Sequence, residues 1–160
     1  MLPLAGITNE SIVDGPGIRM VIFFQGCPHH CPGCHNPETH PFAGGILVST
    51  DEILTIVRSN PLLSGITFSG GEPFAHVNVL AEFISKFKNE FGNLTLGAYT
   101  GYTYEELLLL DRALINEILF QLDFLIDGRF ILAEKADLPY RGSKNQRYLI
   151  LKGGKIAEIL

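Results

Sequence analysis

The chain has 160 residues, of which 46% are hydrophobic and 18% are charged, and its formal net charge is −5 at pH 7. This length and composition are typical of one domain with its own core and exclude a disordered chain. The acidic balance argues against nucleic-acid binding, and no apolar run is long enough to span a membrane. The amino terminus lacks the pattern of a signal peptide, so we expect a single cytoplasmic domain over residues 1–160.

Apolar runs alternate with helix-like segments along the chain. In chain order, the patterns predict a strand at 18–24, a helix from about 49 to 60, a strand at 65–69, a helix at 77–91, a strand at 94–99, a helix at 104–119 that breaks near Asp111, and strands at 122–126 and 147–151. This alternation indicates an α/β fold with a parallel sheet and crossover helices. About five strands are too few for a closed eight-stranded barrel, so we expect an open, partial (β/α) barrel.

Polar and glycine-rich clusters follow the predicted strands one after another. They are a cysteine-rich loop after the first strand, SGGEP at 69–73, Thr100-Gly101, and Asp127-Gly128. Ligands of α/β proteins collect at the carboxyl ends of the strands. Four such clusters on one rim therefore predict one active site.

The cysteine loop is the most specific of these clusters. The only three cysteines of the chain, Cys27, Cys31 and Cys34, lie within eight residues. An odd number of thiols in a reducing compartment indicates metal or redox chemistry rather than disulfides. Three thiolates can hold a [4Fe–4S] cluster and leave one iron open. The alternative is a structural zinc site completed by one of the neighbouring histidines, but zinc ligands usually occur as two separated pairs.

The glycine pair of the SGGEP segment is less specific. Gly70 and Gly71 allow a ligand to approach the backbone closely and expose its N–H and C=O groups. Taken alone, this segment is most simply an ordinary strand-to-helix turn. Its position after a second strand, with the cysteine loop after the first, favours a shared binding site.

Six stretches together resemble the radical S-adenosylmethionine (SAM) superfamily and, within it, the family of proteins that activate anaerobic ribonucleoside-triphosphate reductase. They are DGPGIR at 14–19, QGCPHHCPGCHNPET at 25–39, ITFSGGEPF at 66–74, TGYTYEEL at 100–107, LIDGRF at 125–130 and RGSKNQR at 141–147. The cysteine and SGGEP motifs mark the superfamily, whereas the last three stretches point to the narrower family.

The resemblance implies an oxidoreductase whose cofactors are a [4Fe–4S] cluster and SAM. SAM would occupy the open iron, and one electron from the reduced cluster would cleave it to methionine and a 5′-deoxyadenosyl radical. The radical would abstract a hydrogen atom from one glycine Cα of a partner, expected to be the catalytic subunit of anaerobic ribonucleotide reductase. A one-electron donor such as flavodoxin would be needed, and a homodimer is a further expectation.

The resemblance also assigns roles to individual residues. Gly70 and Gly71 would present backbone to the methionine end of SAM. Glu72 would either hold the SAM ammonium group or brace the turn. Gly33 and His35 flank the last cysteine, at a position near the adenine.

Thr100 and Asp127 end the third and fourth strands. Either would hydrogen-bond the ribose or the carboxylate of SAM, directly or through a monovalent cation, and the alternative is a cap for the following turn. The DGPG segment at 14–17 is either a docking surface or a rigid turn, and the loop at 141–147 is either a docking surface or solvated.

Two other functions remain open from the sequence. Within the same chemistry, the target would be another glycyl-radical enzyme or a small molecule. In a different class, the chain would be a non-catalytic module that binds zinc or a closed iron–sulfur cluster.

Overall fold

A mixed eight-stranded sheet organises the chain, and the computed structural model describes all 160 residues. The strands are β1 (Leu2–Ser11), β2 (Arg19–Phe24), β3 (Ile46–Val48), β4 (Gly65–Gly70), β5 (Thr95–Tyr99), β6 (Phe124–Asp127), β7 (Lys135–Leu138), β8 (Arg141–Ser143), β9 (Arg147–Lys152) and β10 (Lys155–Ile159). The helices are α1 (Thr50–Arg58), α2 (Val77–Glu90), α3 (Tyr104–Leu109) and α4 (Ala113–Gln121). The sheet order is β10-β9-β6-β5-β4-β2-β1-β3, and β7 and β8 form a separate hairpin.

The centre of the sheet is parallel, as the alternating pattern predicts. Strands β2, β4, β5 and β6 pair side by side in parallel, and helices lie between them in the chain. The sheet departs from the predicted parallel arrangement on both sides of this centre, because β1 runs antiparallel to β2 and β9 runs antiparallel to β6. No α-helix separates β6 from β9, and the chain returns through the β7–β8 hairpin in the opposite direction.

Local sequence signals fix the helix boundaries. Ser49 and Glu52 form a reciprocal capping box at the start of α1, and Thr103 and Glu106 form another at the start of α3. The predicted break near Asp111 is confirmed, because this residue has φ +48° and separates α3 from α4. Because residues in a right-handed helix have a negative φ, the helix cannot continue through Asp111.

The two faces of the sheet differ in composition. One face contributes Met20, Ile22 and Phe24 of β2 to a core cluster of 28 buried residues, which also includes the apolar sides of the helices. Because side chains alternate along a strand, Arg19 and Thr67 point to the other face. That face carries a small cluster of Phe124, Ile126 and Tyr148 in addition to polar groups.

Arg19 closes this second face at the amino ends of the parallel strands. Its side chain is fully buried. The guanidinium donates to the hydroxyls of Thr67 and Thr95 at 2.8 Å each. It also donates to the carbonyl oxygens of Ile66 at 2.9 Å, Thr95 at 3.1 Å and Pro16 at 3.1 Å. Burial lowers the pKa of Arg19 to about 10. The Arg19 side chain therefore fills this face at the amino ends of the strands.

None of the four helices combines the length and apolar character that a helical membrane span requires.

Candidate functional site

A cavity of about 720 Å³ lies at the carboxyl ends of β2, β4 and β5. Its walls include most of the residues that the sequence assigns to the site: Cys27, Cys31, Cys34, His35, Gly70, Gly71 and Thr100. Gly33, Glu72 and Asp127 do not line it. The structure therefore brings the cysteine loop, the SGGEP turn and the end of β5 to one cavity, as the order of motifs predicts.

The end of β2 shapes the cysteine loop. The side-chain amide of Gln25 donates to the carbonyl oxygens of Pro41 at 2.6 Å and Glu38 at 3.2 Å. The backbone N–H of Cys27 donates to the carbonyl oxygen of His40 at 3.0 Å. These bonds tie the returning segment to β2, so the intervening residues project from the rim as a closed loop.

The three thiols are free and differ in exposure. Cys27 is buried, whereas Cys31 and Cys34 are half-buried. Burial raises the pKa of the Cys27 thiol. The Cys34 sulfur accepts a 3.4 Å hydrogen bond from the backbone N–H of Asn36.

The donor set fits an iron–sulfur cluster. No group of three or more His, Cys, Asp or Glu side chains is arranged to hold a single metal ion. In a four-iron cluster each thiolate binds a different iron, so the sulfurs need not converge on one point. Three free thiols on one cavity wall, with no fourth cysteine in the chain, match a cluster that keeps one iron open.

The glycine pair has a packing role that the sequence does not reveal. Gly70 has φ +93°, and a Cβ there would lie 2.5 Å from the backbone nitrogen of Phe24. A Cβ on Gly71 would lie 2.3 Å from the carbonyl oxygen of Gly26, and the Gly71 N–H already donates to Phe24 at 2.9 Å. Both glycines are needed for contact with the end of β2, and both also line the cavity.

Glu72 links neighbouring loops. Its side chain is fully buried. The carboxylate accepts a short hydrogen bond from the Thr100 hydroxyl and a 3.3 Å bond from the Gly101 N–H. Its own N–H donates to the carbonyl oxygen of Gly26 at 2.9 Å. These contacts correspond to the bracing alternative for Glu72.

Asp127 is also engaged within the protein. Its fully buried carboxylate accepts bonds from the Tyr104 N–H at 2.7 Å and from Arg147 Nε at 3.0 Å and Nη2 at 2.5 Å. Arg147 also donates to Glu105 at 2.6 Å. The Asp127 carboxylate raises the pKa of Arg147. Asp127 therefore links the start of α3 to β9 and does not cap the turn that follows it, whereas the adjacent Gly128 reaches the cavity.

Gly33 and His35 lie on either side of Cys34, and they face different surroundings. Gly33 has φ +74°, and a Cβ there would lie 3.1 Å from the Leu132 side chain. The His35 ring lies 5.1 Å from the ring of Phe130, centroid to centroid, and both rings line the cavity. The LIDGRF motif contained the signal for Phe130, which sequence reasoning did not assign to the site.

Sequence reasoning also missed the residues opposite the cysteine loop. The cavity is also lined by Tyr99, by Asp14 and by two exposed apolar residues, Ile12 and Val13. Burial raises the pKa of the Tyr99 hydroxyl, and the negative charge of Asp14 raises it further. The Asp14 carbonyl oxygen accepts a 2.7 Å bond from the Thr67 hydroxyl, which ties the start of the DGPG segment to β4 beside the cavity.

Side chains of the RGSKNQR segment at 141–147 bind the backbone of the loop that follows β6. The side-chain amide of Asn145 donates to the Arg129 carbonyl oxygen at 2.7 Å, and that of Gln146 donates to the Gly128 carbonyl oxygen at 3.0 Å. The Gln146 amide oxygen accepts the Gly142 N–H at 2.8 Å. The segment therefore holds the loop that carries Phe130 against the β7–β8 hairpin.

The comparisons with known proteins agree with this arrangement. Residues 13–149 match the family described as "4Fe-4S single cluster domain". The anaerobic ribonucleoside-triphosphate reductase-activating protein of Haemophilus influenzae is 36% identical, with 84% of this chain and 89% of the relative covered. That of Escherichia coli K12 is 32% identical, with 84% and 90% covered. The pyruvate formate-lyase-activating enzyme of Clostridium pasteurianum is 41% identical over 64% of this chain and 46% of its own.

A solved structure of QueE from Escherichia coli is also similar, with a TM-score of 0.42 and 18% identity over 64% of this chain and 53% of QueE.

The cavity with its three thiols thus belongs to a protein of the single-cluster 4Fe–4S class. More narrowly, the chain belongs to the family of anaerobic ribonucleoside-triphosphate reductase-activating proteins.

Proposed function

We propose that the chain is a radical SAM activase that generates a glycyl radical on anaerobic ribonucleoside-triphosphate reductase. The observation that carries this proposal is the placement of three free thiols and the glycine pair around one cavity, in a chain of the activating-protein family. When bound, the cluster and SAM supply the chemistry: one electron cleaves SAM, and the resulting 5′-deoxyadenosyl radical takes a hydrogen atom from a glycine Cα of the partner.

The thiolates of Cys27, Cys31 and Cys34 would hold the cluster. Gly70 and Gly71 would present backbone to the methionine end of SAM, since both lie on the cavity wall next to the end of β2. Thr100 lines the same cavity, where its hydroxyl oxygen, besides donating to Glu72, accepts the Tyr102 N–H at 3.1 Å. Thr100 would therefore contact SAM through backbone atoms or after its side chain moves.

The rings of His35 and Phe130 would accommodate the adenine, with Gly33 allowing the loop to turn close to them. The centroids of the two rings lie 5.1 Å apart, the ring planes are tilted by 49°, and both rings border the same cavity. Aromatic rings and a purine pack favourably through their faces and edges. Tyr99 also lines the cavity, where its half-buried ring would help to exclude water from the reacting atoms.

Glu72 and Asp127 would hold neighbouring segments of the protein in position. Both carboxylates are fully buried and already accept hydrogen bonds from the protein. Neither carboxylate lines the cavity, so a direct contact of either one with SAM, or with a monovalent cation bound to SAM, would require its side chain to move.

The partner's glycine would enter at the open side of the cavity. Ile12 and Val13 form an apolar lip there, 75% and 68% exposed, immediately before the DGPG segment. An exposed apolar lip beside a deep cavity suits a loop of another protein. The open side is consistent with the partial barrel of the radical SAM type. The chemistry also needs a one-electron donor such as flavodoxin, and light scattering of the purified protein tests the expected homodimer.

One anaerobic experiment tests the proposal. The protein is reconstituted with iron and sulfide, mixed with SAM and a one-electron reductant, and analysed for 5′-deoxyadenosine. The reductase subunit is then added, and a glycyl doublet is expected in its EPR spectrum. A protein that takes up zinc but no iron, or iron without SAM cleavage, would contradict the catalytic function. A doublet on pyruvate formate-lyase and none on the reductase would refute the choice of partner.

A further inference from the structure

His29 lies within the cysteine loop, and its side chain has an unsatisfied polar atom. The side chain is only 5% exposed, although it belongs to a loop at the rim. Its Nε2 is the one buried side-chain nitrogen or oxygen in the chain without a hydrogen-bond partner. The imidazole lines the cavity together with Cys27 and Cys31. A buried polar atom without a partner costs free energy, and so it marks a contact that is still to be made.

Packing holds the His29 ring in place. The ring of Tyr102 meets it edge-on, with centroids 4.6 Å apart. Gly101 lies directly against it, since a Cβ at that position would be 2.3 Å from His29 Cδ2. The imidazole is therefore lodged between the cysteine loop and the segment that follows β5, and its orientation is fixed by neighbours rather than by a hydrogen bond.

The Glu72 carboxylate lies close to the unpaired Nε2 of His29. The distance from His29 Nε2 to Glu72 Oε1 is 3.7 Å, slightly beyond a hydrogen bond. Glu72 already joins two other loops, through its N–H to Gly26 and through its carboxylate to Thr100 and Gly101. A small approach of the cysteine loop would bring His29 into the same network.

We propose that His29 is a positioning residue that donates from Nε2 to Glu72 once the site is filled, and so locks the cysteine loop against the SGGEP turn and the end of β5. This inference rests on the proposed function of the same cavity. The contact would fix the open iron relative to the backbone of Gly70 and Gly71. Its loss should therefore weaken SAM binding more than cluster assembly.

The test compares three variants of the reconstituted full-length protein. His29→Ala removes the donor, and His29→Gln restores an amide donor on a side chain of similar reach. His30→Asn is the matched control, because His30 is exposed, lies in the same loop and has φ +51°, which Asn tolerates. Iron and sulfide content, the SAM dissociation constant and the EPR spectrum of the reduced cluster with and without SAM are measured.

We expect all three variants to retain the iron and sulfide content of the wild type. His29→Ala should weaken SAM binding about tenfold, the loss of roughly one buried hydrogen bond, and should alter the EPR change that SAM induces. His29→Gln should recover most of the affinity, and His30→Asn should match the wild type.

A double-mutant cycle with Glu72→Gln tests the coupling. If His29 acts through Glu72, the two substitutions together should weaken SAM binding by clearly less than the product of their separate factors. Independent effects, or a His29→Ala variant with wild-type affinity, would overturn the inference. An iron loss in His29→Ala as large as in a cysteine variant would also overturn it, because His29 would then be a ligand.

The outcomes separate this inference from the function on which it rests. A wild-type protein that fails to assemble a cluster or to bind SAM contradicts the proposed function. A wild type that does both while His29→Ala behaves like His30→Asn contradicts the inference alone. Should His29→Ala fail to fold, His29→Asn replaces it, since its shorter amide lies farther from Glu72.

Discussion

At the amino ends of the parallel strands, Arg19 is buried, and its guanidinium makes five hydrogen bonds, all to neutral oxygen atoms of the protein. An arginine has five N–H donors, so none is left over. At the carboxyl ends of the same strands, the three thiols are free and His29 Nε2 has no partner. Buried polar groups whose hydrogen bonds are made within the protein support the fold. Unpaired polar groups around a cavity, in contrast, mark where a ligand binds.

The largest expected effect is functional and lies at the carboxyl end. Cys34→Ala should abolish both the cluster and SAM cleavage, because the remaining two thiols cannot supply three corners of a four-iron cluster. The apo protein should unfold at nearly the wild-type denaturant concentration, since Cys34 is half-buried. Iron and sulfide analysis, 5′-deoxyadenosine formation and urea unfolding measure these outcomes. Retained SAM cleavage would contradict the ligand assignment.

The next effect lies at the amino end and concerns stability. Arg19→Met should lower the free energy of unfolding by about 3 kcal/mol or more, because it removes the guanidinium donor from two threonine hydroxyls and three carbonyl oxygens. Urea unfolding of the apo protein measures the loss.

Arg58→Met is the matched control for Arg19→Met. Arg58 forms an ion pair with Glu90 near the surface, where its side chain is 49% exposed. Its replacement should change the stability far less than that of Arg19. Equal losses for the two variants would show that the Arg19 network does not stabilise the amino end.

A smaller effect is expected at Asp127, which lies at the carboxyl end of β6 although its carboxylate is hydrogen-bonded within the protein. Asp127→Asn should lower the free energy of unfolding by about 1–3 kcal/mol, because the buried carboxylate accepts bonds from Tyr104 and Arg147. Asp137→Asn serves as the control, since Asp137 is exposed in the β7–β8 hairpin. A wild-type denaturation midpoint for Asp127→Asn would show that this link between α3 and β9 does not stabilise the fold.

The smallest effect concerns the pH dependence of stability at Glu105. The hydrogen bond from Arg147 lowers the pKa of the Glu105 carboxyl below its ordinary value. A group with a lowered folded-state pKa stabilises the fold above its unfolded-state pKa, and this contribution is lost as the pH falls through the folded-state value. Glu105→Gln should therefore be slightly less stable than the wild type at about pH 7, and the difference should vanish in acid. Urea midpoints across that pH range measure it, and a constant difference would contradict the assignment.

The central part of the fold could be predicted from the sequence because its signals are local. The predicted strand at 65–69 corresponds to β4 (Gly65–Gly70), and the predicted helix at 77–91 corresponds to α2 (Val77–Glu90). Both segments have a strongly apolar pattern whose side chains are buried, and glycine or proline residues lie near their ends.

The sequence did not reveal several strands outside the parallel centre of the sheet. β1 (Leu2–Ser11) includes a proline and a glycine and is exposed over much of its length, so its pattern is weak. β3 (Ile46–Val48) and β8 (Arg141–Ser143) each have three residues. Such strands form because a neighbouring edge offers unpaired backbone groups, and that information lies elsewhere in the chain.

The sequence by itself determined the chemistry of this protein, because three thiols at short spacing and a glycine pair are properties of residue type and order. Only the tertiary structure decided which polar groups face the cavity. Glu72 and Asp127 lie in motifs beside the site, yet their carboxylates point to protein donors. His29 and Phe130 reach the cavity because loops from different strands meet there. A side chain's direction depends on packing between distant segments, which residue order does not encode locally.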